Sequence, residues 1–237
     1  MWRMISLFKP ILELPLFGIF LTIGCYILSH YITKKIDKPY LTTLLVTIAL
    51  VIVVLVVTGI ELEDYQKGGH MISFLVAPMT LALAVPIYNR RQIIAKHFIP
   101  IMGAIVVGSA TALLSGYLLG KLVGLDMKLI ASLLPKNTTT GVAVELCHHM
   151  GGDSALTIVL VIIVGNVGYI LGPSLYKLFR IKHPIAKGVA LGTASHAMGT
   201  RRALGMGETE GAVASAALGI CGMITTLILP IFLRFIF

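Results

Sequence analysis

Charge is scarce in this 237-residue chain. It holds 19 Lys and Arg against 10 Asp and Glu, together 12% of the residues. That is about half the roughly 25% usual in soluble domains. With a mean hydropathy of +0.95, the chain has too little polar surface to cover a soluble fold. A soluble enzyme, a nucleic-acid module and a disordered chain are excluded on that ground. Cysteine is equally sparse. Cys25, Cys147 and Cys221 are too few and too scattered for a disulfide framework or a metal cluster. Neither a phosphate loop, a dinucleotide fingerprint, a G-x-S-x-G elbow nor an H-E-x-x-H pair occurs, so no nucleotide-driven pump or common hydrolase motif is present. No cleavable signal peptide is evident either. Arg3 and Lys9 precede an apolar stretch too long for one.

What the chain has is long uncharged runs. Leu14–Ile32, Leu41–Ile60, Phe98–Gly120, Ser154–Tyr176 and Gly211–Leu233 each approach the ~20 residues of a membrane helix. Three further stretches, near 71–88, 129–147 and 185–203, are interrupted by Pro78 and Pro86, by Pro135-Lys136-Asn137, and by Ser195-His196. Proline removes a helical hydrogen bond and clashes with the preceding turn. Irregular backbone at membrane depth persists only where protein or a water-filled cavity satisfies it. The expected fold is therefore an all-α polytopic membrane protein with five ordinary spans and about three broken or re-entrant segments.

The net charge of +9 reads as topology rather than as nucleic-acid binding. Lys34, Lys35 and Lys38, then Arg90, Arg91 and Lys96, then Lys177, Arg180, Lys182 and Lys187, suit cytoplasmic loops, and Glu61, Glu63 and Asp64 suit an external one. These assignments place the N-terminus outside and require one interrupted segment, most simply 129–147, to enter and leave on one side. An internal repeat is visible. Thr80-x-Ala82-x-Ala84-Val85 returns as Thr139-x-Gly141-x-Ala143-Val144, and Gly108 has a counterpart in Gly165. The repeats lie near 74–121 and 131–177, with a weaker third near 189–236. The expected organisation is an N-terminal helical part, 1–70, available for oligomerisation, and a core, 71–237. Paired interrupted segments point to a transporter's binding site at the bilayer midplane.

Polar residues concentrate at the interruptions. Asn137, Thr139 and Thr140, with Thr80 in the earlier copy, supply caps and hydroxyls at a helix start, where free N–H groups favour an anion. The bland alternative is a surface turn with a snorkelling Lys136. Glu145 closes an apolar stretch and, with Glu210, is a candidate proton carrier. The adjacent His148 and His149 diverge on a helix, which argues against a metal site. The Ser195–Arg202 stretch is the densest cluster. His196 titrates near neutral pH, Thr200 adds a hydroxyl, and Arg202 has the fork to pair with a carboxylate, with cytoplasmic topology charge as its plain alternative.

At this cluster the chain becomes recognisable. Leu134-Pro135-Lys136-Asn137-x-Thr139-Thr140, Gly151-Gly152, and Leu191–Thr200 followed by Arg202-Ala203-Leu204 and Gly207-Glu208-x-Glu210-Gly211-Ala212 resemble the LrgB/CidB family. Ala77-Pro78-x-Thr80-x-Ala82 through Pro86 is similar to the family's first-half motif. The resemblance implies a multi-pass protein of the bacterial inner membrane with a small LrgA/CidA-type membrane partner, tied to murein hydrolase activity and programmed cell lysis. It also implies transport of small organic acids, since the plastid relative carries glycolate and glycerate and bacterial members are linked to pyruvate. Gly141 stands where the family often has Pro, and Arg201 where a small residue is usual, so Arg202 alone carries over as the family arginine. The expectation is a secondary carrier of small carboxylates, possessing neither cofactor nor metal, working as a homo-oligomer, with a dimer as the simplest case. The competing expectation is a holin-like or antiholin-like component that forms or controls a pore.

Overall fold

The computed structural model describes residues 14–36, 38 and 40–234. Arg3 and Lys9, and the last residues of the 189–236 repeat, lie outside them. The described residues are mostly helical, and they fall into two compact units that divide between Ala82 and Leu83.

The first unit holds α1 (Pro15–Ile36), α2 (Thr43–Thr58), α3 (Leu62–Ser73) and α4 (Val76–Ala82). Bare backbones join α1 to α3: a Cβ on Gly18 would stand 3.1 Å from the Gly68 Cα. A hydroxyl pair, Thr22 to Tyr65 at 2.9 Å, lies beside that contact. In α2 the Thr42 hydroxyl accepts from Leu45 N at the start, and Gly59, in the left-handed region at φ 68°, ends it. These caps leave 16 residues, about 24 Å of helix. Leu41–Ile60, read from composition as a plain span, is thus shorter than the ~30 Å hydrocarbon layer.

The reverse holds for the stretch read as defective near 71–88. The helical run Leu62–Asn89 reaches 28 residues and is apolar enough to cross. Its interruptions fall at Phe74–Leu75 and at Leu83. Each lies beside the carbonyl four residues before Pro78 or Pro86, where the missing N–H and the ring break the ladder. Five helices are long and apolar enough to span: 15–36, 62–89, 98–122, 154–178 and 208–234. The number matches the sequence expectation, and the membership differs.

The second unit continues with α5 (Ala84–Asn89), α6 (Arg91–Lys96), α7 (Phe98–Leu122), α8 (Met127–Leu133), a 3-10 turn (Leu134–Asn137), α9 (Thr140–His149), α10 (Ser154–Leu178), α11 (Pro184–Leu204) and α12 (Glu208–Arg234). Aspartates start two of these helices. Asp126 accepts from Leu129 N at 2.7 Å and Asp153 from Leu156 N at 3.0 Å.

Two helical hairpins organise this unit. In the first, α8 and α9 flank the Pro135–Thr139 turn. Gly152, just past α9, lies against Ser132 at the end of α8 and against Cys147 of α9, so the chain doubles back within this segment. Ser132 fastens the segment to α10: its hydroxyl accepts from Asp153 N at 2.7 Å and its carbonyl from the Thr157 hydroxyl at 2.9 Å. The second hairpin is α11 itself. Helical geometry fails at Ser195 (φ −133°, ψ 16°) and His196 (φ 38°, ψ −126°). Before the break, Gly188 lies against Glu210 and Val213, and Gly192 against Ala214 and Ala217. After it, Thr200 reaches Ala214 O and Leu204 lies against Gly211. The two halves of α11 therefore run in opposite senses along α12. Gly199 sits on the Leu191 carbonyl, an approach that any side chain would block.

The hairpins enter from opposite ends and meet. Along α7, Ile101 clusters with Val189. Further on, Gly108 faces Thr193, Gly116 faces Leu134 and Gly120 faces Ile130. The tips therefore meet near the middle of α7. The Asn137 amide joins them, donating to Ala194 O at 2.9 Å. Helix α10 passes from the base of the first hairpin to the base of the second, where the Tyr176 hydroxyl donates to Lys187 O at 2.8 Å. Helix α12 runs the other way, from Val213 beside Gly188 to Leu229 beside Ile130 and Leu134. One apolar cluster lies on each side of the tips.

Candidate functional site

A break inside a buried helix strands backbone groups that must find other partners. The second hairpin solves this with the residues singled out in the sequence. Ala194 O accepts from Asn137 Nδ2. His196 O accepts from the Thr200 hydroxyl at 2.9 Å. The His196 ring reaches Val161 O on α10 at 3.0 Å. A carbonyl can only accept, so Nε2 carries the proton in that contact. His196 is 4% exposed and Thr200 1% exposed. Both therefore stand behind the tip as its supports.

A cavity of about 560 Å³ opens beside the tips, between α7 and the first half of α11. His97 and His183 stand at its outer end, with ring centroids 6.3 Å apart. Gly108, Ala112, Asn137 and Thr193 form the inner end. The other lining residues are mostly apolar, and neither Asp, Glu, Lys nor Arg is among them. Among the described residues, four buried side-chain polar atoms have no hydrogen-bond partner: Asn137 Oδ1, Thr138 Oγ1, Thr193 Oγ1 and Arg202 Nε. Three of the four belong to the meeting of the tips. Cys221 packs beneath it, with Sγ 3.3 Å from Ser109 Oγ and 3.5 Å from Asn137 O.

The remaining candidates separate. Thr139 takes the N-cap position of α9 without a side-chain capping bond, and Thr140 opens that helix with an exposed side chain. Arg202 lies on the second half of α11, its guanidinium 5.2 Å from the centre of the Tyr169 ring. It does not line the cavity. Glu145 is exposed on α9 and pairs with His149 at 3.1 Å. Glu210 sits in the first turn of α12, while its neighbour Glu208 pairs with Arg90. Thr80 is exposed on α4 of the first unit and donates to Val76 O at 2.9 Å. The structure thus brings Asn137, His196 and Thr200 together around one break.

Sequence reasoning missed Thr193, His97 and His183. Thr193 lies three residues before His196, on the opposite side of a helix that reverses there. Only the fold shows that one faces the cavity and the other α10.

The chain is similar to known proteins along most of its length. The LrgB-like family model matches residues 22–235. The antiholin-like protein LrgB of Bacillus mycoides (strain KBAB4) is 40% identical over 223 residues, covering 94% of this chain and 97% of that protein. Antiholin-like LrgB proteins of Bacillus cereus (strain B4264) and Bacillus anthracis (strain CDC 684) align with the same identity and coverage. No solved structure matches significantly. A match over nearly the whole chain, hairpins included, makes this multi-pass helical protein a member of the LrgB family.

Proposed function

We propose that this chain is a secondary carrier of small organic-acid anions, such as pyruvate or glycolate, in the bacterial inner membrane. One observation carries the reading: two opposed hairpins meet at mid-span and close one end of an open cavity. Interrupted helices that meet at the midplane are the sites carriers use for solutes and coupling ions. The cavity volume falls within the ~300–1,000 Å³ usual for ligand pockets. Its lining holds no carboxylate, so nothing there repels an anion.

The orientation follows from charge. Lys96 precedes His97, and Arg180 and Lys182 precede His183, so the cavity mouth lies at the basic end. Basic flanks stay cytoplasmic, and the cavity is then inward-open. In this reading both 129–147 and 185–203 are re-entrant, and each returns to the side it left. Asn137 orients the tips. Thr139 and Thr140 open α9 at membrane depth, while His196 and Thr200 hold the break rigid. Arg202 balances charge from behind it. Glu145 and Glu210 lie at opposite ends and would hand protons in or out. Thr80 lies on α4 of the first unit.

The relatives' name favours a second reading, in which the chain is an antiholin-like component controlling lysis together with a small LrgA/CidA-type membrane partner. It requires assembly rather than an anion site. The first unit, with its long exposed apolar helices, suits a homodimer contact in either case. The deciding experiment is uptake of labelled pyruvate, glycolate and lactate into proteoliposomes, with and without a proton gradient. Saturable uptake by this chain alone supports the carrier. No uptake by folded protein, alone and with the partner added, leaves the antiholin-like reading.

A further inference from the structure

We infer that Lys136 supplies the positive charge that holds the substrate carboxylate, with the Thr193 hydroxyl as its hydrogen-bonding companion. The assignment rests on the carrier reading and names the residues of that site which bear the ligand.

Lys136 sits in the tip of the first hairpin, half-buried, with its ammonium 3.4 Å from Ala112 O. Ala112 is ten residues from the nearer end of α7, roughly 15 Å along the axis. That is more than twice the length of a lysine side chain, so this lysine cannot snorkel to the membrane surface. Among the described residues the ion pairs are Lys67–Asp64, Arg90–Glu208 and His149–Glu145. None involves Lys136. An ammonium at membrane depth with no acidic partner is costly, and such charges mark substrate or ion paths.

The surroundings keep room for it. Gly116 lies beside the ammonium, and a Cβ there would stand 2.7 Å from Nζ. The one bond to Ala112 O is long, and an ammonium has three donors. Ala112, whose carbonyl the ammonium reaches, and Asn137, its neighbour in sequence, both line the closed end of the cavity. Thr193 lines the same end, is 7% exposed, and its hydroxyl has no partner. The ammonium is not on the cavity wall but lies behind Ala112 and Asn137 at its closed end, where one cation beside one hydroxyl donor, with no carboxylate in the lining, supplies the minimum set for a small carboxylate. His97 and His183, at the mouth, are the titratable groups on the cavity wall. Arg202, on the α10 side of α11, stays outside.

The test compares pyruvate with pyruvamide, its neutral analogue, in proteoliposomes holding wild type, Lys136→Gln, Lys136→Arg, Thr193→Val or the exposed control Lys128→Gln. Lys136→Gln should raise the KM for pyruvate about tenfold to a hundredfold, the usual effect of losing a bond to a charged group. Its melting temperature should stay near wild type, and pyruvamide should inhibit both proteins equally. Lys136→Arg should recover part of the affinity. Thr193→Val should raise KM less than Lys136→Gln, and Lys128→Gln should leave it unchanged. Saturable pyruvate uptake with an unaltered KM in Lys136→Gln would overturn the assignment and leave the carrier standing. Equal losses for pyruvate and pyruvamide would also overturn it, by making Lys136 structural. Absence of uptake by folded wild type, with and without the small partner, would overturn both.

Discussion

Helix α2 and helix α11 invert the usual relation between apolarity and burial. Helix α2 is a run of Val, Ile, Leu and Thr with a single Ala, yet its buried residues are Thr47 and Val51 alone. Val56 and Val57 are 75% and 65% exposed. Helix α11 is far less apolar, yet Gly188, Gly192, Thr193, Ser195, His196, Gly199, Thr200 and Ala203 are all buried in it. In water that pattern would be upside down. In a bilayer, lipid tails are as apolar as leucine, so burial follows close fit and backbone satisfaction instead. The interior therefore collects small and polar residues.

That contrast can be broken at several points. The largest effect belongs to Gly192→Leu. Its side chain would run into the Ala214 carbonyl and Ala217, and overpacking against backbone costs about 3 kcal/mol or more. Loss of monodisperse protein on size-exclusion in detergent is expected, and a normal yield would refute the packing of α11 on α12. Asn137→Ala comes next. It orphans Ala194 O and should cost about 1–3 kcal/mol. It should also loosen the tips over Cys221, which is 1% exposed. In a Cys25→Ser, Cys147→Ser background, maleimide labelling of Cys221 should quicken. Unchanged labelling would mean that other contacts hold the tips.

His196 separates strain from bonding. A non-glycine residue at φ 38° stores roughly 1–3 kcal/mol, and the ring bond to Val161 O returns about 1 kcal/mol. His196→Gly should leave stability within about 1 kcal/mol of wild type, and His196→Ala should fall below it. Thermal melts of the pair decide this, and equal melts would remove strain from the account. The smallest effect is expected in α2. Val56→Ala, on an open face, should shift stability by less than about 0.5 kcal/mol. A loss as large as that in α11 would mean that Val56 is covered in an assembly.

The breaks were legible because proline and polar residues inside apolar runs have few physical excuses. Pro78, Pro86, Pro135 and Ser195-His196 each mark a real interruption in the chain. Span membership was less legible. The caps at Thr42 and Gly59 shorten a run that composition alone extends. The polar residues near the breaks were also visible, but not their directions. His196 and Arg202 read as ligand contacts, whereas His196 braces the turn against Val161 and Arg202 lies against Tyr169. Lys136 read only as the snorkelling lysine of a surface turn.

Sequence by itself determined the class of molecule. Scarce charge and runs of about 20 apolar residues admit only a helical membrane protein, because lipid leaves backbone groups no other partner. It also determined where helices must stop. Tertiary structure alone decided that two of those stops face each other at mid-span, and which side chains look into the cavity there. Such facts depend on residues more than fifty positions apart, as with Asn137 and Ala194, and no local rule of helix geometry carries that distance.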